Sequence, residues 1–181
     1  MAAAIEQKPT RSAAASELEA LFRDHHERVL RAAYRITGSM ADAEDVAQSV
    51  FLRIAQNGVV RKDIDNPGSY LYRAAINAGL DLLRKRGREN AVALDETLPE
   101  GHDNGPEKQR EAGEQRRWLR AALAGVSPRA AEMFVLRYVE GCDLGEIARM
   151  LNTSRAVVAV ILHRTRARLQ NDLSTYMRGK R

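Results

Sequence analysis

The stretch Asp143-Leu-Gly-Glu-Ile-Ala-Arg-Met-Leu-Asn-Thr-Ser154 reads as a short helix followed by a tight turn. Asp143 is an N-cap and Glu146, three residues on, completes a capping box. Asn152 occupies the turn, where a left-handed backbone is needed and Asn tolerates it. A longer helix follows from Arg155 to about Tyr176, rich in arginine in its second half. Two short helices at a steep angle, the second projecting outward, are the commonest device for laying a helix in a DNA groove.

Upstream, Ser127-Pro128 opens a helix with Ala131, Phe134, Val135 and Tyr138 inward. Pro106 can open another, holding Trp118, Leu119, Ala122 and Leu123, closed by Gly125. Further upstream come three more amphipathic segments. Ser16-Glu-Leu-Glu19 fits a capping box, and the helix behind it carries Leu18, Leu21, Phe22, Val29, Leu30, Ala33 and Ile36 on one stripe. Gly38 stops it. The second runs from near Ser39 to about Gln56, with Ala43, Val46, Ala47, Val50, Phe51 and Ile54 inward and Asp42, Glu44 and Asp45 in its first turn, where the helix dipole favours anions. Asn66-Pro67 caps and opens the third, which reaches about Arg86. No segment alternates with a strand's period of two, so the expected class is all-α.

Charge divides the chain more sharply than its total does. Residues 1–88 carry 14 basic and 11 acidic side chains, residues 89–114 carry 2 and 8, and residues 115–181 carry 13 and 5. The acidic middle also holds Pro99, Gly101, Asn104, Gly105 and Pro106 with almost no apolar periodicity, the composition of a tether. The expected organisation is a disordered Ala-rich tail over residues 1–15, an N-terminal helical domain over 16–88, an acidic flexible linker over 89–114 and a C-terminal helix-turn-helix domain over 115–177.

The net charge of +5 rests almost entirely on arginine, which meets phosphate with a planar fork. The single cysteine, Cys142, excludes an internal disulfide and fits a reducing compartment. No apolar run approaches the ~20 residues of a membrane span, and the N-terminus lacks a signal-peptide pattern, so a cytoplasmic protein without membrane insertion is expected. Catalysis finds no support: there is no Gly-rich phosphate loop or nucleophile elbow. His25 and His26, being adjacent, point about 100° apart on a helix and make a poor metal pair. Neither enzyme nor cofactor is expected.

Three segments carry a family resemblance: Arg35 to Arg53, Asn66 to Arg86, and Ser127 to Leu169, the last ending His163-Arg-Thr-Arg-Ala-Arg-Leu. In this order and spacing the chain resembles an extracytoplasmic-function sigma factor of the sigma-seventy family. The resemblance implies an alternative sigma factor that binds core RNA polymerase and directs it to particular promoters. The N-terminal domain would hold the clamp coiled coil of the beta-prime subunit and open the −10 element. The C-terminal domain would meet the beta flap and read the −35 element. The DNA would be met both as duplex and as single strand, and an anti-sigma factor is the expected restraining partner. The run Arg35-Ile-Thr-Gly followed by Ala43-Glu-Asp-Val is similar to the iron-starvation branch, which implies an iron or haem signal.

On that reading Asp42, Glu44, Asp45 and Gln48 form the polymerase-docking face, Asp45 and Gln48 sharing one side of their helix and offering hydrogen bonds to a basic partner. The family often has a further acid where Ser49 stands. The −10 candidates are Tyr70, where the family usually has Trp, with Tyr72, Arg73 and Asn77. Arg84, Lys85, Arg86 and Arg88 supply a cationic track for a displaced strand. The loop from Gly58 to Asn66 is expected to form a pocket for an extruded base. For −35 recognition the candidates are Arg155, Val157, Ala159, Arg164, Arg166 and Arg168. Here the chain departs from the family, whose recognition helix starts with exposed Lys or Arg. Arg155-Ala-Val-Val-Ala-Val-Ile-Leu is almost wholly apolar, and Val157, Ala159, Val160 and Ile161 cannot all be buried beside Val158 and Leu162. Some of them would meet thymine methyls or a protein partner.

Two other readings remain open from the residues. A dimeric helix-turn-helix repressor or activator explains the C-terminal half but leaves the Asp45/Gln48 helix without a task. A protein-interaction module would use the strip from Val157 to Ile161.

Overall fold

The computed structural model describes residues 11–56, 66–89 and 106–179. Among them seven helices and no strand are found: α1 (Arg11–Thr37), α2 (Met40–Gln56), α3 (Pro67–Glu89), α4 (Pro106–Ala124), α5 (Pro128–Tyr138), α6 (Leu144–Met150) and α7 (Arg155–Gly179). The chain punctuation works largely as the residue types dictate. Gly38 takes a φ of +71° after α1, a conformation that costs other residues energy. Asn66 Oδ1 accepts from the Ser69 backbone N–H at 2.8 Å at the head of α3. Ser127 caps α5 ahead of Pro128. The Asp143–Glu146 capping box closes on α6 in both directions, at 2.8 and 2.7 Å. Asn152 turns the chain with a φ of +47°.

Two boundaries differ from expectation. α1 begins at Arg11, so Ser16 lies inside the helix and caps nothing, and the expected tail is helical from residue 11. Ala13, Ala14 and Ala15 explain this, since alanine is the strongest helix former. Likewise α4 starts at Pro106, so residues 106–114 of the expected linker are helical. After Pro106 the sequence Glu-Lys-Gln-Arg-Glu-Ala contains only good helix formers. Residues 90–105 and the loop over 57–65, including the expected base pocket, lie outside the described residues.

Packing adds what the sequence left open. The two helical halves do not stand apart: α4 and α5 both pack on α3, which also packs on α1 and α2. α3 is therefore the central element. Its Leu71, Ile76 and Leu80 are buried with Val29 and Ile36 of α1 and Val50 and Phe51 of α2. The same continuous core takes in Met133, Val135 and Leu136 of α5, Ile147 of α6, and Val158 and Leu162 of α7. Each such aliphatic side chain removed from water contributes roughly 1.5–3 kcal/mol before entropy is counted. Ala33, Ala43 and Val46 form a second, smaller buried cluster, and two residues expected inward are half exposed. Phe22 is half exposed, stacked on His26 and edge-on to Phe51, and Tyr138 is half exposed beside Phe134. Both occupy helix edges, where a large ring covers a neighbour with one face only.

Candidate nucleic-acid and polymerase interface

The acidic face of α2 separates into two roles. Glu44, Asp45 and Gln48 are exposed. Leu52, one turn beyond Gln48, is also half exposed, and the 3.6-residue period puts it on the same outer stripe. Periodicity could have found Leu52 as an apolar residue opposite the buried stripe. Asp42 does not belong to that face. It is buried, and Arg86 of α3 grips it with a fork, at 2.5 Å from Nη1 to Oδ2 and 2.6 Å from Nη2 to Oδ1. The expectation that Asp42 meets the polymerase and that Arg86 meets DNA is corrected together: at helix edges facing each other, opposite charges pair.

The basic end of α3 is partly committed as well. Arg84 donates to Asp81 at 2.8 Å; Lys85 is exposed, and so is Arg88 at the helix end one turn later. Tyr70 stands 43% exposed near the start of α3, free to stack on a flat partner.

Tyr72, Arg73 and Asn77 are placed otherwise than expected. Tyr72 is buried, with the Arg28 guanidinium carbon 4.5 Å over its ring. Burial first, and then the neighbouring Glu140 carboxylate, push its phenol well above the usual range. Arg73 donates from Nε to Glu132 Oε1 at 2.8 Å and from Nη1 to the Met150 carbonyl at 2.6 Å. Asn77 Nδ2 reaches the same Glu132 oxygen at 3.2 Å. Glu140, its side chain almost fully covered, accepts from Arg35 at 2.5 Å. Arg120 of α4 donates from Nε to the carbonyl of Ile36 at 2.9 Å. Burial, with Arg116 nearby, lowers its basicity.

Glu132 and Glu140 were not foreseen as site residues, yet Glu132 carries a signal. It falls on the α5 stripe of Val135, Leu136 and Val139, and a carboxylate on an apolar stripe needs a buried donor. Cys142 sits half-buried beside this network. Burial, then Glu146 and Glu140, raise its thiol above the ordinary range.

On α7, Val158, Leu162, Thr165 and Leu169 face inward. The rest of the helix sorts into two flanks by its period. Val157, Val160 and Arg164 fall on one, with Val157 and Val160 44% and 50% exposed. Arg155, Ala159 and Arg166 fall on the other, all exposed. Ser154 Oγ caps the helix by accepting from the Val157 backbone N–H at 3.2 Å. Arg155 and Arg149 flank a shallow depression floored by Gly145, Ala148, Asn152 and Thr153. Arg168 turns away from this surface, donating to the Gly125 carbonyl at 3.1 Å with Asp172 nearby. Among the described residues no cluster of three or more His, Cys, Asp or Glu could hold a metal ion, and no helix is long and apolar enough to cross a membrane.

The comparisons with known proteins divide the chain at the same place. Sigma-70 region 2 matches residues 21–89, and Sigma-70, region 4 matches residues 116–169. Among similar curated proteins is the ECF RNA polymerase sigma factor SigE of Mycolicibacterium smegmatis, 32% identical over 171 residues, or 91% of this chain and 64% of that protein. The ferric citrate uptake sigma factor FecI of Escherichia coli is 31% identical over 137 residues, 75% of this chain and 79% of its own. The RNA polymerase sigma-E factor of Streptomyces coelicolor is 30% identical over 158 residues, covering 87% and 86%. The chain thus spans just under two thirds of SigE but most of the other two. Among solved structures, SigJ of Mycobacterium tuberculosis matches at 27% identity and a TM-score of 0.45, over 86% of this chain and 52% of that one. The sigma factor RpoE of Bartonella quintana, crystallised with the anti-sigma factor NepR, matches at 19% and 0.48, over 88% and 96%. Region 2 spans the α1–α3 body and region 4 the helix-turn-helix body, and relatives are matched across most of their own length: the chain belongs to the extracytoplasmic-function sigma factors of the sigma-seventy family.

Proposed function

We propose that this chain acts as an alternative sigma factor, directing core RNA polymerase to specific promoters, with the work divided between its two helical bodies. The N-terminal body docks the beta-prime clamp coiled coil through Glu44, Asp45 and Gln48, with Leu52 adding an apolar contact. Tyr70 stacks an unpaired base at the −10 element, Arg73 and Asn77 hold the displaced strand, and Lys85 and Arg88 track its phosphates. The C-terminal body meets the beta flap and reads the −35 duplex with α7. Arg155 reads a base edge, Val157 and Val160 lie against thymine methyls, and Arg164 and Arg166 neutralise phosphates. It serves as a binding subunit in the cytoplasm, its chemistry supplied by the polymerase, and an anti-sigma factor restrains it.

The observation that carries this reading is the exposed face of Glu44, Asp45 and Gln48 within the region 2 match: acids and an amide for which no hydrogen bond or ion pair is found among the described residues. The test is a pull-down of full-length chain on sigma-free core polymerase. Asp45→Arg is expected to lower affinity at least tenfold with helicity unchanged by circular dichroism. Unchanged affinity would remove α2 as the docking face.

A further inference from the structure

Val158, Leu162, Thr165 and Leu169 fix the inward side of α7. By the 3.6-residue period the line opposite them runs through Ala156, Val160, His163 and Ala167, all exposed. A helix laid in a major groove drives this line deepest towards the base edges. Alanine reaches little, so Val160 and His163, neighbours at a three-residue step, are the side chains that project. Val160 offers only an apolar surface, 50% exposed. His163 has a ring N–H to donate, and no hydrogen bond or ion pair is found for it among the described residues. The surroundings are cationic: Arg164 and Arg166 stand exposed on either side of the line, and α7 carries no acid before Asp172. Duplex DNA fits such a surface, a polyanion whose major groove presents thymine C5-methyl groups and purine N7 acceptors.

We propose that Val160 and His163 read two adjacent base pairs of the −35 duplex, Val160 through a thymine methyl and His163 by donating its ring N–H to the N7 of a purine. The pair rests on the assignment of α7 to the −35 duplex, and it names the base pairs that α7 selects. Three residues rise about 4.5 Å along a helix, close to the base-pair step of about 3.4 Å, so the two base pairs are neighbours. Neither side chain supports the fold, since both stand on the exposed line. Losing the methyl contact costs about fourfold in affinity, and losing the hydrogen bond about fivefold.

The experiment takes full-length chain with sigma-free core polymerase, selects from duplexes randomised over a short window, and then titrates the enriched element. Wild type is expected to enrich an element in which a T·A pair and a purine lie side by side. Val160→Ala is expected to lose preference at the first position alone and His163→Ala at the second alone. Each should lose about three- to sixfold in affinity with helicity unchanged by circular dichroism. Replacing that thymine by deoxyuridine removes only the methyl; it is expected to weaken wild type about fourfold and to leave Val160→Ala unaffected. Profiles unchanged by both substitutions overturn the proposal. So does a change of preference at separated base pairs, or full wild-type affinity for the deoxyuridine duplex. Arg164→Ala/Arg166→Ala keeps the two ideas apart. If that variant loses the element while Val160→Ala and His163→Ala do not, α7 still reads the −35 duplex and only the Val160/His163 pair falls. If wild type enriches no element that depends on those arginines, α7 is not the reader and both fall.

Discussion

Arg86 holds Asp42 in a two-pronged grip from α3 to α2, with the carboxylate buried and the guanidinium half exposed. Two residues that the sequence assigns to different partners, polymerase and DNA, therefore spend their charge on each other. The pair ties α3 to α2 at that point.

Asp42→Asn should consequently act on stability and leave docking alone. Losing a charge-assisted fork costs about 1–3 kcal/mol. Urea unfolding should register that loss while core polymerase affinity at a temperature where the variant is folded stays within twofold of wild type. A tenfold affinity loss in the folded variant would return Asp42 to the docking face.

The two flanks of α7 should behave differently on duplex DNA carrying a cognate −35 element. Arg155→Ala is expected to cost about 1–3 kcal/mol against the preferred sequence and little against others. Arg164→Ala should weaken all sequences alike and reduce the slope of log affinity against log salt by about 1. Equal effects of the two substitutions in a mobility-shift titration would contradict the division.

Gly38 combines a left-handed backbone with crowding, since an added Cβ would lie 2.2–2.4 Å from the Arg120 guanidinium. Gly38→Ala should destabilise the chain by roughly 1–2 kcal/mol from backbone strain, and more because Arg120 must leave the Ile36 carbonyl. Thermal unfolding of Gly38→Ala beside Arg120→Ala checks this. Additive losses would show that the two are not coupled.

Asp143 caps α6, and the hydrogen bond from the Glu146 backbone N–H, helped by Gly145 N–H and by Arg155 and Arg149, holds its carboxyl below the ordinary 3.8. A depressed folded value means that the ionised cap contributes stability above the unfolded value and loses it as pH falls through the folded one. Asp143→Asn keeps a neutral acceptor, so wild type should exceed it by a constant margin near neutrality. That margin should shrink as pH drops below about 3.8. Urea unfolding across that range measures it, and a margin that grows on acidification would reverse the sign.

Much of the fold was legible because local chemistry is short-range. Asn66-Pro67, Ser127-Pro128, the Asp143–Glu146 box and Asn152 each announce a boundary with two to four residues. The inward stripes of α2, α3 and α7 follow from period alone. The exposure of Glu44, Asp45 and Gln48 was legible for the same reason, since they sit opposite an apolar stripe on one helix. What escaped is the pairing of charges between helices, both within the N-terminal half and across to the C-terminal one. Opposite charges such as Asp42 and Arg86, 44 residues apart, or Arg73 and Glu132, 59 apart, leave no periodic trace. An arginine bound to a glutamate reads in sequence just as one awaiting a phosphate does. Pro106 announced α4, but the acidic composition of residues 89–114 carried the expected tether past that proline, so its last nine residues are helical instead.

The most direct test of the account is transcription of genomic DNA by sigma-free core polymerase, with and without the purified chain, mapping transcript 5′ ends. The account predicts a discrete set of new start sites that appears only with the chain, shares spaced −35 and −10 elements, and is lost with Asp45→Arg. Start sites that do not change when the chain is added, under conditions where it binds the polymerase, would contradict it.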